Sequence, residues 1–278
     1  MRSLIRCSLR RTFPLISRFY LNFRSKKSDE VLPDSLVSVI IPIFDRTNLL
    51  RDAIESVLNQ DYKNFELLLV CDGSPEATVE VVNQYLEHSS VRAFFLEGNS
   101  GTAVRARNFG IAQSVGKYIA FLDSDDICTK KRLSISTKIL ESEDVDIVYG
   151  SWIAIMDGSR AVGELKNGQL VNSIDANYEN LYNISIPCQS TVVLRKELFE
   201  KFGLIKPQMK YREDHELWLR FAHFGARFRN ITYPLTYLRL HEGNNEINFE
   251  SESLDWLTKV REVHKNLGPS LNDYADKL

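Results

Sequence analysis

No two cysteines stand in a Cys-x-x-Cys spacing: Cys7, Cys71, Cys128 and Cys188 are scattered along the chain. That spacing excludes a zinc knuckle and a small disulfide-stapled fold, and it fits a reducing compartment. Long apolar runs are missing too. Stretches such as Leu67 to Val70 fall far short of the roughly 18 to 20 residues that cross a bilayer as a helix. No Gly-x-Gly-x-x-Gly follows the first predicted strand, and no Gly-Lys-Ser or Gly-Lys-Thr occurs, so neither a dinucleotide fingerprint nor a P-loop is supported. Charge of one sign is lacking as well. The 35 basic and 37 acidic residues leave a formal charge of −2, with no global field to gather nucleic acid. No nucleic-acid partner is expected.

What is present is enough apolar material, 44% of 278 residues, for one sizeable domain with short extensions. The amino-terminal segment differs from the rest. Arg2, Arg6, Arg10, Arg11, Arg18, Arg24, Lys26 and Lys27 all precede the first acidic residue, Asp29, with Leu, Ile, Phe and Tyr interspersed. Residues 1–34 are therefore expected to form a basic, aromatic-rich arm. Three readings stay open for it: peripheral contact with an anionic membrane surface, an organelle transit peptide, or a solvated cationic tail. The expected location is cytoplasmic, with the inner face of a membrane as the alternative if the arm docks.

From Leu36 onward short apolar runs alternate with helical spacing. Strands are predicted at 37–41, 65–70, 91–96, 118–122 and 145–149, and helices at 49–58, 78–86, 102–112 and 132–140. This is the pattern of an α/β fold, a mostly parallel sheet with helices on both faces. Ligands of such sheets bind at the carboxyl ends of the strands. Asp72 follows the second strand and Asp123-Ser124-Asp125-Asp126 follows the fourth, so both acidic turns are expected on one edge of the sheet. Several carboxylates at a strand end can hold a hard divalent cation, Mn²⁺ or Mg²⁺, while leaving sites open for phosphate oxygens. The plainer alternative is a turn that caps a helix or faces water.

The ordered set Val39-Ile40-Ile41-Pro42-Ile43-Phe44-Asp45-Arg46, Ser56-Val57-Leu58-Asn59-Gln60, Phe65 to Ser74, Asn99-Ser100-Gly101 leading to Ala106-Arg107-Asn108-Phe109-Gly110, and Ala120 to Asp126 resembles glycosyltransferase family 2. It covers residues 36–150 well and continues more loosely to about 245. The resemblance implies the GT-A fold, a single Rossmann-like α/β/α sandwich with a mixed central sheet. A donor half (35–150) and an acceptor half (151–245) would be followed by a helical extension (246–278). It also implies an inverting transferase using a nucleotide-diphospho-sugar donor and a saccharide, lipid-linked or other hydroxyl acceptor, in assembly of a cell-surface polysaccharide.

Carried over position by position, Pro42 and Phe44 resemble residues that contact the nucleotide base, and Asp72 the carboxylate that accepts the ring N–H of a uracil-type base. The usual paired Asp there is Cys71-Asp72 in this chain; for Asp72 a turn-capping role is the alternative. Arg107 would serve the diphosphate or fix the acidic loop. Asp125 resembles the direct metal ligand, Asp123 a contact to ribose or metal, and Asp126 a support for either. Asp214, in Arg212-Glu213-Asp214-His215, matches the general base, with Glu213 next and His215 third; without the resemblance, acids in a first helical turn need only the helix dipole as explanation. His241, in Tyr237-Leu238-Arg239-Leu240-His241, resembles an imidazole that approaches metal or diphosphate, and Arg239 beside it is a further candidate. Trp218 is either an acceptor platform or core. Two other classes compete: an inactive nucleotide-sugar-binding or partner-binding module on the same fold, and a sugar nucleotidyltransferase. Ile43-Phe44-Asp45-Arg46 lacks the glycine-rich loop of the latter.

Overall fold

The computed structural model describes residues 34–156, 165–240 and 250–265. His241 and all but the last residue of the basic arm lie outside the described residues. Among the described residues no helix is long and apolar enough to cross a membrane.

The elements run β1 (Val37–Ile43), α1 (Leu50–Leu58), β2 (Phe65–Asp72), α2 (Glu76–Asn83), β3 (Val91–Leu96), α3 (Val104–Gln113), β4 (Tyr118–Phe121), β5 (Ile127–Cys128), α4 (Arg132–Ser142) and β6 (Ile147–Met156). There follow β7 (Leu170–Val171), α5 (Tyr178–Asn183), a 3₁₀ turn (Gln189–Thr191), β8 (Val193–Arg195), α6 (Glu197–Phe202), α7 (Glu213–His223), β9 (Phe228–Leu240) and α8 (Glu250–Lys265). The expected donor-half elements are all present. β6 runs seven residues beyond its predicted end, because its second half pairs with β9 and β7.

β1 and β2 are buried along their whole length, and successive side chains enter opposite cores, as the two-residue period of a strand requires. Val37, Val39, Ile41, Leu67 and Leu69 join one cluster with Leu50, Ala53, Ile54 and Val57 of α1. Ile40, Leu68 and Val70 join the other with Val104 and Ile111 of α3 and Leu217, Trp218, Leu219 and Phe221 of α7. The spacing i, i+3, i+4, i+7 on α1 is the apolar stripe that makes it a helix against this sheet.

The strand order is β3-β2-β1-β4-β8-β6-β9-β5, with β7 beside β6. The first four strands are parallel, and β8 joins β4 antiparallel, so the sheet is mixed as expected. The chain reverses its direction of travel between β1 and β4. β1 pairs with β2 through Ile43, but with β4 only through Ile40. Beyond Ile40 the two strands part, which opens the crevice that such a switch point provides.

α3 lies close on β1. A Cβ at Gly110 would stand 2.6 Å from Ile40 Cγ2, so only glycine permits this approach. Gly110→Ala is expected to lower stability by about 1 to 3 kcal/mol through overpacking, read as a fall in thermal midpoint.

α8 places Val260 and Trp256 against the second cluster and buries His264 beside Tyr178 and His223. Burial first, then the positive charge of His223, Arg220 and His215, pushes the His264 imidazole down to about 3. The unfolded imidazole titrates near 6.5, so below that pH the unfolded chain takes up a proton that the folded one refuses. Stability is therefore fully present above about pH 6.5 and falls as pH drops toward 3, by on the order of 1 kcal/mol per unit. Thermal melts between pH 7 and pH 5 should show this slope, and His264→Phe should flatten it.

Candidate active site

Three acidic segments lie at or near the carboxyl ends of the parallel strands: Asp72, the turn 123–126, and Glu213-Asp214, which Arg107 ties to that turn. Asp72 ends β2, two strands from β4, and so lies roughly 10 Å across the sheet from the acidic turn that follows β4. Glu213 and Asp214 open α7. The backbone reaches α7 through Arg212 at φ +61°, a left-handed conformation that a non-glycine residue adopts at a cost on the order of 1 kcal/mol.

Beyond β1, Pro42 is buried and Phe44 is 44% exposed. Only Phe44 offers an open ring face. Pro42 falls where β1 has already left β4, so its missing N–H breaks no ladder bond.

Asp72 is 3% exposed, and its carboxylate reaches across to the next loop. Oδ2 accepts the backbone N–H of Ser100 at 3.1 Å and its hydroxyl at 2.5 Å; Oδ1 takes Arg105. Arg105 also donates to the carbonyls of Glu97 and Gly98. Gly73, at φ +67°, packs so closely on the Gly98 backbone that a Cβ would collide with it. Asp72 thus organises the 97–105 loop, which is more than capping its own turn. A groove of about 670 Å³ lies beside this loop, lined by Ser100, Thr102, Arg105, Asn108, Gln208 and Lys210 among others.

In the acidic turn the backbone N–H of Asp123 donates to Ser190 Oγ at 3.1 Å, and that of Asp126 donates to the Asp123 carbonyl. Asp125 faces Arg46 at 3.5 Å, and its carbonyl accepts from Arg239 Nε at 2.9 Å. Asp126 is 2% exposed; Oδ1 accepts the Arg239 N–H at 2.9 Å, and Oδ2 has no partner among the described residues. Burial, then the charges of Asp125 and Asp123, hold the Asp126 carboxyl well above the usual carboxylate range. Asp126 therefore supports the turn from within, while the Asp125 carboxylate faces Arg46 and that of Asp123 faces Arg107. Arg239 completes the brace by reaching Asp52 at 3.0 Å.

This donor set fits a hard divalent cation: it is all oxygen, crowded with negative charge, and one carboxyl oxygen lacks a partner. Among the described residues no three His, Cys, Asp or Glu side chains are grouped as a metal cage.

Arg107 joins the acidic turn to α7. Its guanidinium donates from Nη2 to Asp123 Oδ1 at 2.7 Å and from Nη1 to Glu213 Oε1 at 2.8 Å. Burial alone would lower its hold on the proton, but Asp123 and Glu213 more than offset this and keep it charged. Burial also lifts the Glu213 carboxyl, Arg107 pulls it back, and the charge of Asp214 raises it again. Of the two roles expected for Arg107, these contacts are those of fixing the acidic loop. Asp214 accepts the His215 N–H at 2.7 Å, the helix-start geometry its position alone explains.

Burial decides two of the readings: it removes His215 as a candidate base, and for Trp218 it selects the core alternative. His215 is 1% exposed, its ring bonded to the Leu181 carbonyl and its affinity for a proton lowered by burial; it faces the core and not the crevice. Trp218 is fully buried against Phe221, so it is core and no acceptor platform. Sequence reasoning missed Arg105, Ser100 and Ser190. The signal for Arg105 was its position two residues from Arg107, which sends the two side chains to different sides of one helix.

A family model described as glycosyl transferase family 2 matches residues 38–203. An uncharacterized glycosyltransferase of Rickettsia felis is 33% identical over 216 residues, 78% of this chain but 35% of that protein; the chain spans about a third of the length of such relatives. The Escherichia coli enzyme named UDP-Glc:alpha-D-GlcNAc-diphosphoundecaprenol beta-1,3-glucosyltransferase WfaP is 28% identical and is matched over 84% of this chain and 87% of its own. Among solved structures, residues 1–349 of Staphylococcus aureus TarS in complex with UDP-GlcNAc superpose with a TM-score of 0.65 at 19% identity, over 87% of this chain and 72% of that one. The shared fold is GT-A.

Proposed function

The chain belongs to glycosyl transferase family 2, and on that premise we propose that it transfers a sugar, with inversion, from a nucleotide diphosphate onto an acceptor hydroxyl. UDP is the favoured nucleotide, and assembly of a surface glycan on a saccharide or lipid-linked acceptor is the favoured setting. The observation that carries this reading is the span of one guanidinium: Arg107 touches both the acidic turn and the first turn of α7, which supports reading the turn as donor-holding and the helix start as base-bearing.

Phe44 stacks on the base, and Asp72 accepts its ring N–H once Ser100 or Arg105 yields an oxygen. Asp123 contacts the ribose. Mn²⁺ or Mg²⁺ held by Asp125 and Asp123, with Asp126 and His241 as the further groups around it, would neutralise charge growing on the departing diphosphate. Asp214 takes the proton of the acceptor hydroxyl as that oxygen attacks the anomeric carbon. The bond from that carbon to the β-phosphate oxygen breaks, and the nucleoside diphosphate leaves with the electron pair. Attack opposite the leaving group inverts the anomeric centre. Glu213 is the second choice of base, because its carboxylate is committed to Arg107.

Hydrolysis of UDP-, GDP- and dTDP-sugars in Mn²⁺ tests the reading. Release of UDP is expected. Tight UDP binding with no release from any sugar would favour the inactive module.

A further inference from the structure

We infer that Arg107 is a positioning residue that locks the donor-holding turn to the base-bearing helix, so that Asp214 stands at a fixed distance from the sugar. This deepens the transferase reading and rests on it. A guanidinium that bound the diphosphate would keep donors turned to the crevice. Arg107 instead has both Nη atoms committed to carboxylates, its Nε sealed from solvent, and a side chain only 6% exposed.

The helix that carries it is itself immobilised. Gly110 seats α3 against Ile40, and Asn108 exchanges two hydrogen bonds with the Ile205 backbone, at 2.7 and 3.1 Å, on the segment leading into α7. Arg105, turned to another side of α3, holds Asp72. One helical turn thus grips the ends of β2 and β4 and the start of α7. Asp214 follows Glu213 on the first turn of α7, so a shift of Glu213 moves the base. Misplacement of a reacting group by about 1 Å is enough to slow a reaction roughly 100-fold.

The test uses the full chain, with Arg107→Met, Arg107→Lys and Glu213→Gln, the last made also in the Arg107→Met background. Steady-state kinetics give kcat and KM, and calorimetry gives the UDP affinity. In Arg107→Met, kcat should fall by about 100-fold while UDP affinity stays within about threefold, because the lost term is one of orientation. Arg107→Lys should recover part of kcat. Glu213→Gln should slow the wild type but add little in Arg107→Met, since the two changes break the same link.

Full kcat in Arg107→Met, or an equal effect of Glu213→Gln in both backgrounds, would overturn the inference. So would parallel loss of kcat and UDP affinity, which is the signature of diphosphate binding. If Arg107→Met does not fold, Arg107→Lys serves as the second background. A wild type that neither binds UDP nor turns over would sink the transferase reading separately. The bridge is then judged by stability, where additive effects of Asp123→Asn and Glu213→Gln would disprove it.

Discussion

Replacing Asp214 by Asn should stop sugar transfer and leave UDP binding nearly intact. Asn keeps the size and the helix-start hydrogen bond to the His215 N–H, but its amide cannot take a proton at neutral pH. Loss of a positioned general base costs roughly 10² to 10⁴ in kcat, and no neighbour stands ready to replace it. Glu213 is held by Arg107 and His215 faces the core. The expected record is a kcat reduced within that range, with UDP affinity by calorimetry unchanged within experimental scatter. Activity that survives within tenfold of the wild type would move the base to another residue, Glu213 first.

Asp125→Ala should have the opposite profile. Asp125 meets Arg46 at the surface of the turn, whereas Asp126 is buried, so on the proposed reading Asp125 is expected to carry the largest share of cation binding. Outer groups around a metal site are worth 10- to 100-fold in affinity, and a direct ligand should reach at least about 100-fold. Calorimetry of UDP should therefore show strong enhancement by Mn²⁺ in the wild type and almost none in Asp125→Ala, with metal-free binding little changed. Loss of UDP affinity in both Asp125→Ala and Asp214→Asn would refute this division of labour.

The donor half was legible because its strands are buried on both faces. Val39 to Ile41 and Leu67 to Val70 are unbroken apolar runs, and the helix between them keeps one apolar stripe. β9 was not legible: its exposure varies irregularly along thirteen residues, with no period to read. The acidic turns at the ends of β2 and β4 were visible as carboxylates after predicted strands, but the roles expected of them, and of Glu213 and Asp214, came from the resemblance and not from the spacing. The arginines that hold them could not be ranked, since Arg105 and Arg107 look alike in sequence and their partners lie from 16 to 106 residues away. Arg132 shows the same limit. It is fully buried and donates to the Phe121 and Val192 carbonyls, yet a charged residue at a helix start reads as surface.

The bridge at Arg107 also limits how this chain can be recombined. A hybrid spliced anywhere between positions 123 and 213 would inherit the arginine and its first partner from one parent and the second partner from the other. Unless that second parent supplies a carboxylate at the Glu213 position, a sealed cation loses half its compensation. Successful exchanges of the carboxyl-terminal half should therefore be confined to parents that agree at positions 107, 123 and 213.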